Sequence, residues 1–300
     1  MRSQMKRALA IFMALAVCAN VQAGTESSEL LVKVSSTATI KTLAHIHSLG
    51  TTENIGLGWI RVHPSQSLQA SKLSLNALRQ SGEVTHVQPN YRIALMHDFK
   101  VRDLELRKEI ERLAKENPNE TTAPKDNPAI PAAPADVSGP DPLLGSQWGM
   151  MDIGVRDIVR SGGKEVVVAV IDTGVDYTHE DLVSSMWRNP GEMPDDGVDN
   201  DGNGFIDDIV GWDFVSNDNL PYDLSVNWWD LLLGGGNPGH GTHCAGNVGA
   251  RTGNSKGITG VASNVKIMAL RFLSEKGQGT TADAVKAIRY AVANLSLIHI

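Results

Sequence analysis

Two short strings in this 300-residue chain carry side chains that can move a proton. The first is Val166-Val-Val-Ala-Val-Ile-Asp172-Thr-Gly-Val-Asp176, an apolar run that ends on a carboxylate. The second is Asn237-Pro-Gly-His240-Gly-Thr-His243-Cys-Ala-Gly246, a histidine between glycines that leads into a small-residue helix. Imidazole suits general acid–base work because its unperturbed pKa lies near ~6.5. A carboxylate bonded to one ring nitrogen fixes the tautomer and stabilises the imidazolium. Asp172 and His240 are therefore the candidate acid–base pair, with Gly239 and Gly241 expected to leave room for a substrate. His243 is the competing histidine, and its three-residue spacing puts it on the same helical face.

A third string, Asp199-Asn-Asp201-Gly-Asn203-Gly-Phe205-Ile-Asp207-Asp208, has the alternation of oxygen ligands found in a calcium loop. Asp199, Asp201, Asn203, the Phe205 carbonyl, Asp207 and Asp208 are the candidate ligands for Ca2+. The twelfth position is Val210, where an EF-hand places a bidentate glutamate, so Asp208 or Asp196 is expected to stand in.

Charge points the same way. The net charge is −7, but residues 1–140 carry 16 bases and 13 acids, while 141–300 carry 11 and 21. From Asp172 to Asp230 there are fifteen carboxylates and one base, Arg188. Such a run argues against nucleic acid as a partner and for a solvated acidic face or bound cations.

The strings around Asp172 and His240 resemble the aspartate and histidine segments of the subtilisin-like serine peptidases, the subtilases (peptidase family S8). That family carries its triad in the chain order Asp, His, Ser. The resemblance implies an endopeptidase that hydrolyses polypeptide substrates, and it gives His243 a place packed inside the helix. Cys244 stands where many subtilases carry valine and a proteinase K-like subgroup carries cysteine. Gly277, Gln278 and Gly279 resemble the edge strand that pairs with extended substrate. A second calcium site is implied between Asp181 and the Thr252-Gly-Asn254 loop. No nucleophile turn is found, since Ser255, Ser263, Ser274 and Ser296 lie in unlike contexts and Leu295–Ile300 departs from the family pattern. The chain as given is therefore expected to be incomplete and inactive. Two other readings stay open: a metalloenzyme using His240, His243 and an acid, and a non-catalytic secreted calcium-binding module.

The organisation fits a secreted precursor. Residues 1–23 read as a signal peptide: Arg2, Lys6 and Arg7, then apolar Ala8–Val17, then Val21-Gln-Ala23 for cleavage. No membrane association is expected after its removal, and after cleavage only Cys244 remains of the two cysteines. Residues 24–97 alternate strand and helix signals: strands at 29–34, 58–62 and 83–87, helices at 39–49 and 69–80. Their close, Gly82 to Tyr91, resembles the end of the inhibitor-type propeptide of subtilases, a small ferredoxin-like α+β unit that acts as an intramolecular inhibitor. Residues 98–140 read as a charged helix, then a linker; seven of the thirteen prolines fall between Pro118 and Pro142. Residues 141–300 are expected to be the N-terminal part of the catalytic domain, an α/β fold with a doubly wound parallel sheet. Its strands are expected at 166–171, buried on both faces, and at 265–270, with a helix over 281–293.

Overall fold

The computed structural model describes residues 21–23, 28–80, 82–95, 108, 111–112, 115–116, 138–154, 165–223 and 239–296. It divides into two compact units, one of residues 21–95 with 278–300 and the other containing 96–277. Residues 1–20, which carry most of the expected export signal, and 118–137 of the linker lie outside the described residues. So does most of the expected charged helix; within it Arg112 and Glu116 form an ion pair one turn apart.

The first unit runs β1 (Val21–Ala23), β2 (Leu30–Val34), α1 (Ile40–Ser48), β3 (Gly50–Gly56), β4 (Trp59–Pro64), α2 (Leu68–Gln80), β5 (Val84–Pro89) and β6 (Arg92–Leu95). β2 to β5 form a four-stranded sheet in the order β3-β4-β2-β5, with every pairing antiparallel. The connectivity is βαββαβ. Period-two alternation explains the central strand: Leu30 and Val32 face one side, Leu31 the other, and all three are buried. Leu30 and Val32 pack with Ile46 of α1, Leu75 of α2, Val62 and Val84. Thr39 caps α1 by accepting from Thr42 N, and Glu83 accepts from Thr39 N and Thr42 Oγ1 at 2.7 and 2.6 Å. The beginning of β5 thereby ties down the beginning of α1.

The far face of the sheet is covered by α5 (Thr281–Ser296). Leu31, Ile55 and Trp59 pack there on Ala282 and Val285. Buried Asn90 accepts from Ala282 N at 3.0 Å, and the Tyr91 carbonyl accepts from Thr281 N at 3.1 Å, so the strand ends satisfy the helix's first donors. Just before α5, β10 (Gln278–Thr280) pairs antiparallel with β6, setting Gln278 opposite Ala94 and Gly279 opposite Ile93. β1 lies along the other edge of β6.

The second unit holds α3 (Trp148–Asp152), β7 (Val166–Asp172), β8 (Gly211–Asp213), α4 (His240–Gly249) and β9 (Val265–Arg271). The three strands form a parallel sheet in the order β7-β9-β8. Central β9 is buried from Ile267 to Arg271: Ile267–Leu270 is the apolar run expected between two strands, and Arg271 at its end is paired with buried Asp213. β7 departs from the expected two-sided burial. It is the edge of the described sheet; Val166 is exposed, and only Val170 and Asp172 are fully buried. The core joins Val170, Ile267 and Ala269 to Cys244 and Ala245 of α4 and to Val175, Tyr177 and Leu182 of the segment after β7.

The two neighbours on α2 separate packing from exposure. Leu75→Ala removes a fully buried side chain and should cost about 2–5 kcal/mol, while Leu73→Ala, at an exposed site, should stay within about 0.5 kcal/mol. Chemical denaturation of the intact chain measures both.

Candidate active site

Parallel strands end together, so their C-terminal edge collects the turns that follow them. Asp172 is the last residue of β7 and is buried. Its carbonyl accepts from Phe272 N and Leu273 N, which fixes the strand end against the segment after β9. Its Oδ1 accepts from Thr173 N and from His240 Nδ1, both at 2.7 Å. His240 opens α4 and stays partly exposed. The carboxylate engages Nδ1, and Nε2 is the ring atom that could take up and return a proton.

The first turn of α4 is held from outside the helix. Asp223, buried, accepts at Oδ2 from Thr242 N and Oγ1 at 2.9 and 2.7 Å. At Oδ1 it accepts from Thr173 Oγ1 at 3.0 Å and Gly239 N at 3.3 Å. Thr173 Oγ1 in turn accepts from Gly241 N at 3.0 Å, and Thr242 Oγ1 accepts from Asp176 N at 2.9 Å. Burial raises the Asp223 carboxyl above the ordinary carboxylate range, against the lowering effect of the bonds from Thr242 and Thr173. Nearby, burial pushes the Tyr222 hydroxyl up to about 12, and its ring meets Tyr177 edge-on at 5.2 Å.

Two glycines serve backbone geometry. Gly239 has φ +79°, a left-handed conformation with open space where a Cβ would stand. A Cβ on Gly241 would lie 2.0 Å from the Gly174 carbonyl oxygen. Gly241 is thus buried against the Gly174 backbone, and the expectation that it leaves room for substrate is corrected. His243 is corrected too: it is exposed, beside Asn247, instead of packed inside the helix. Cys244 is buried, its Sγ 4.0 Å from His240 Nδ1.

The acidic string folds on itself through backbone donors. Asp199 accepts from Asn203 N and Gly204 N; Asp207 accepts from Asp196 N and Gly197 N, which turns its carboxylate toward that bend. Phe205 places its ring on Trp212 and Phe214. Carboxylate oxygens of Glu192, Asp201 and Asp208 come within 4.8 Å of one another, and Asn203 Nδ2 bonds both aspartates. Glu192 was missed from sequence because it stands outside the spaced string. Its Oε1 accepts from Asn200 N and Asp201 N. The donor set is hard oxygen throughout, which fits Ca2+. At the second candidate, Asp181 accepts from Asn254 Nδ2 at 2.8 Å, and Asp141 accepts from Gly253 N and Asn254 N.

Of the expected substrate edge, Gln278 and Gly279 lie in β10, while Gly277 sits in the preceding turn with φ +68°, donating to the Ser274 carbonyl.

The subtilase family model matches residues 163–299. The chain is similar to a thermophilic serine proteinase of Bacillus sp. (strain AK1), 41% identical over 145 residues, 46% of this chain and 27% of that protein. Thermitase of Thermoactinomyces vulgaris is 35% identical over 135 residues, 45% of this chain and 35% of its own length. Halolysin of Haloferax mediterranei is 35% identical over 165 residues, 52% of this chain and 26% of its own. The chain therefore spans about a quarter to a third of these relatives.

The two glycines can be told apart. Gly239→Ala should cost about 1–2 kcal/mol through its left-handed backbone and leave the Asp172–His240 bond in place. Gly241→Ala should push the two backbones apart and abolish the low-field proton NMR resonance of His240 Nδ1–H. With its strand-end aspartate and helix-opening histidine in place, the segment from 163 to 299 is similar to the subtilase family.

Proposed function

We propose that this chain is part of the precursor of a secreted serine endopeptidase, with Asp172 and His240 as two members of an Asp-His-Ser triad. The observation that carries the proposal is the 2.7 Å bond from His240 Nδ1 to Asp172 at the junction of strand end and helix start. Asp172 orients the ring and stabilises its cation; Nε2 takes the proton of a serine hydroxyl and gives it to the leaving amine. The parallel order of β7, β9 and β8 supports a doubly wound sheet beneath the site. A non-catalytic calcium module is not favoured, because it leaves both strings and the family match without a role.

Residues 24–97 act in this reading as an inhibitor-type propeptide of ferredoxin-like build. The βαββαβ order supports that assignment, and so does β6 lying along Gln278 and Gly279, the edge proposed to receive substrate strands. Gly277 aims that edge from its turn. Residues 1–23 serve as the export signal; among the described residues no helix is long and apolar enough to cross a membrane.

Joining an in-frame subtilase C-terminal segment after Asn294 tests the proposal. Peptide hydrolysis and labelling by a fluorophosphonate probe should appear, and His240→Ala should abolish both. Hydrolysis that survives His240→Ala would overturn it.

Calcium is proposed as a structural ion of the acidic loop, held by Glu192, Asp201 and Asp208 with oxygens of the Asp199–Phe205 segment. Clustered carboxylates repel until a cation neutralises them. Calorimetry on the intact chain should show calcium binding that is lost in Glu192→Gln and kept in Asp207→Asn, whose carboxylate serves the Asp196–Gly197 bend. Binding that persists in Glu192→Gln removes this ligand set.

A further inference from the structure

The thiol of Cys244 has no part in the proposed proton transfer, yet it is buried against the base. His240 and Cys244 are four residues apart on α4, so they project from the same face one turn apart. Asp172 reaches that face from the end of β7. His240 Nδ1, a carboxylate oxygen of Asp172 and Cys244 Sγ all lie within 4.8 Å of one another. We propose that these three residues form a zinc-binding site, and that zinc captured there switches the base off. The binding rests on the three donors alone; the switching rests on the proposed function of His240.

The donor chemistry selects the ion. One thiolate, one imidazole nitrogen and one carboxylate oxygen suit Zn2+ and not Ca2+ or Mg2+, which prefer oxygen throughout. Tetrahedral zinc with bonds of about 2.0–2.3 Å sets a nitrogen and an oxygen ligand about 3.4 Å apart, and a sulfur and a nitrogen about 3.6 Å apart. The observed separations are 2.7 Å for Nδ1 to Oδ1 and 4.0 Å for Sγ to Nδ1. Two of the three separations are thus within about 0.7 Å of the zinc values, and the third pair, Sγ and the Asp172 carboxylate, lies within 4.8 Å; drawing the three groups together converts the hydrogen-bonded pair into a chelate, and a water fills the fourth position. His240 keeps part of its side chain exposed, which gives the ion a way in.

The proton balance is definite. Cys244 binds as thiolate, so its proton leaves to solvent. The hydrogen on Nδ1 is exchanged for one on Nε2, and the ring stays neutral. The base is lost for two reasons: Nδ1 is bound to metal, and Nε2 carries the hydrogen where it should accept one.

Cobalt reports on the site because it takes the same geometry and colours on binding thiolate. In buffer saturated with calcium, to fill oxygen sites first, Co2+ added to the chain should produce a thiolate-to-metal charge-transfer band, and Zn2+ should bleach it. Cys244→Ser and His240→Ala should lose the band, while Cys18→Ser, altering the only other cysteine, should retain it. In the unaltered chain zinc should slow alkylation of Cys244, and magnesium should not. No band, a band that survives Cys244→Ser, or alkylation indifferent to zinc overturns the site. In the chain completed after Asn294, zinc should inhibit hydrolysis, and a zinc-selective chelator should restore it. Failure of any hydrolysis there counts against the peptidase reading and leaves the cobalt result intact. Hydrolysis indifferent to zinc, in a chain that shows the band, overturns the switch.

Discussion

The first turn of α4 is held by the buried carboxylate of Asp223, which gathers Gly239 N, Thr242 N, Thr242 Oγ1 and Thr173 Oγ1 around its two oxygens. Four free N–H groups open any helix, and a carboxylate placed there is favoured both by hydrogen bonding and by the helix dipole. Here the same carboxylate bonds the residue after Asp172, so one group references both halves of the pair to a common point. That common reference holds the ring and the carboxylate at hydrogen-bond distance. Gly241 contributes by having no side chain, which lets its backbone lie against that of Gly174.

The acidic loop shows a second use of carboxylates as organisers. Glu192 accepts the amides of Asn200, Asp201 and Asp207, so a side chain outside the string sets the path of the string. A buried carboxylate that spends its oxygens on backbone amides is constrained in where it points, and this decides which acids converge. Asp207 is spent on the Asp196–Gly197 bend, while Asp201 and Asp208 turn inward with Glu192.

These organisers also mark the limit of what the sequence made legible. Strands β2, β4, β5 and β9 and helices α1, α2 and α5 carry strong apolar periodicity, and their positions were readable to within a few residues. β3 was not read, because Gly50-Thr-Thr-Glu-Asn-Ile-Gly56 is an edge strand with polar side chains facing out. Asp172 and His240 were readable because each ends or begins a patterned element. Asp223 and Glu192 are single acids outside any helix or strand, and only the folded chain shows that both are buried. His243 shares the composition of its helix, yet it stands one residue from buried Cys244, and that step of about 100° around the helix turns it to solvent.

The two-sided burial of β2 bears on how the chain is made. Leu31, Ile55 and Trp59 lie in the first hundred residues, but Ala282 and Val285 cover them. Roughly two hundred residues separate the end of the sheet from the end of α5, and synthesis proceeds at about 5–20 residues per second. For about 10–40 s the growing chain therefore presents an apolar sheet face with nothing of its own to lay on it. Throughout that interval this face is the natural foothold for a chaperone, or for the same face of a neighbouring nascent chain.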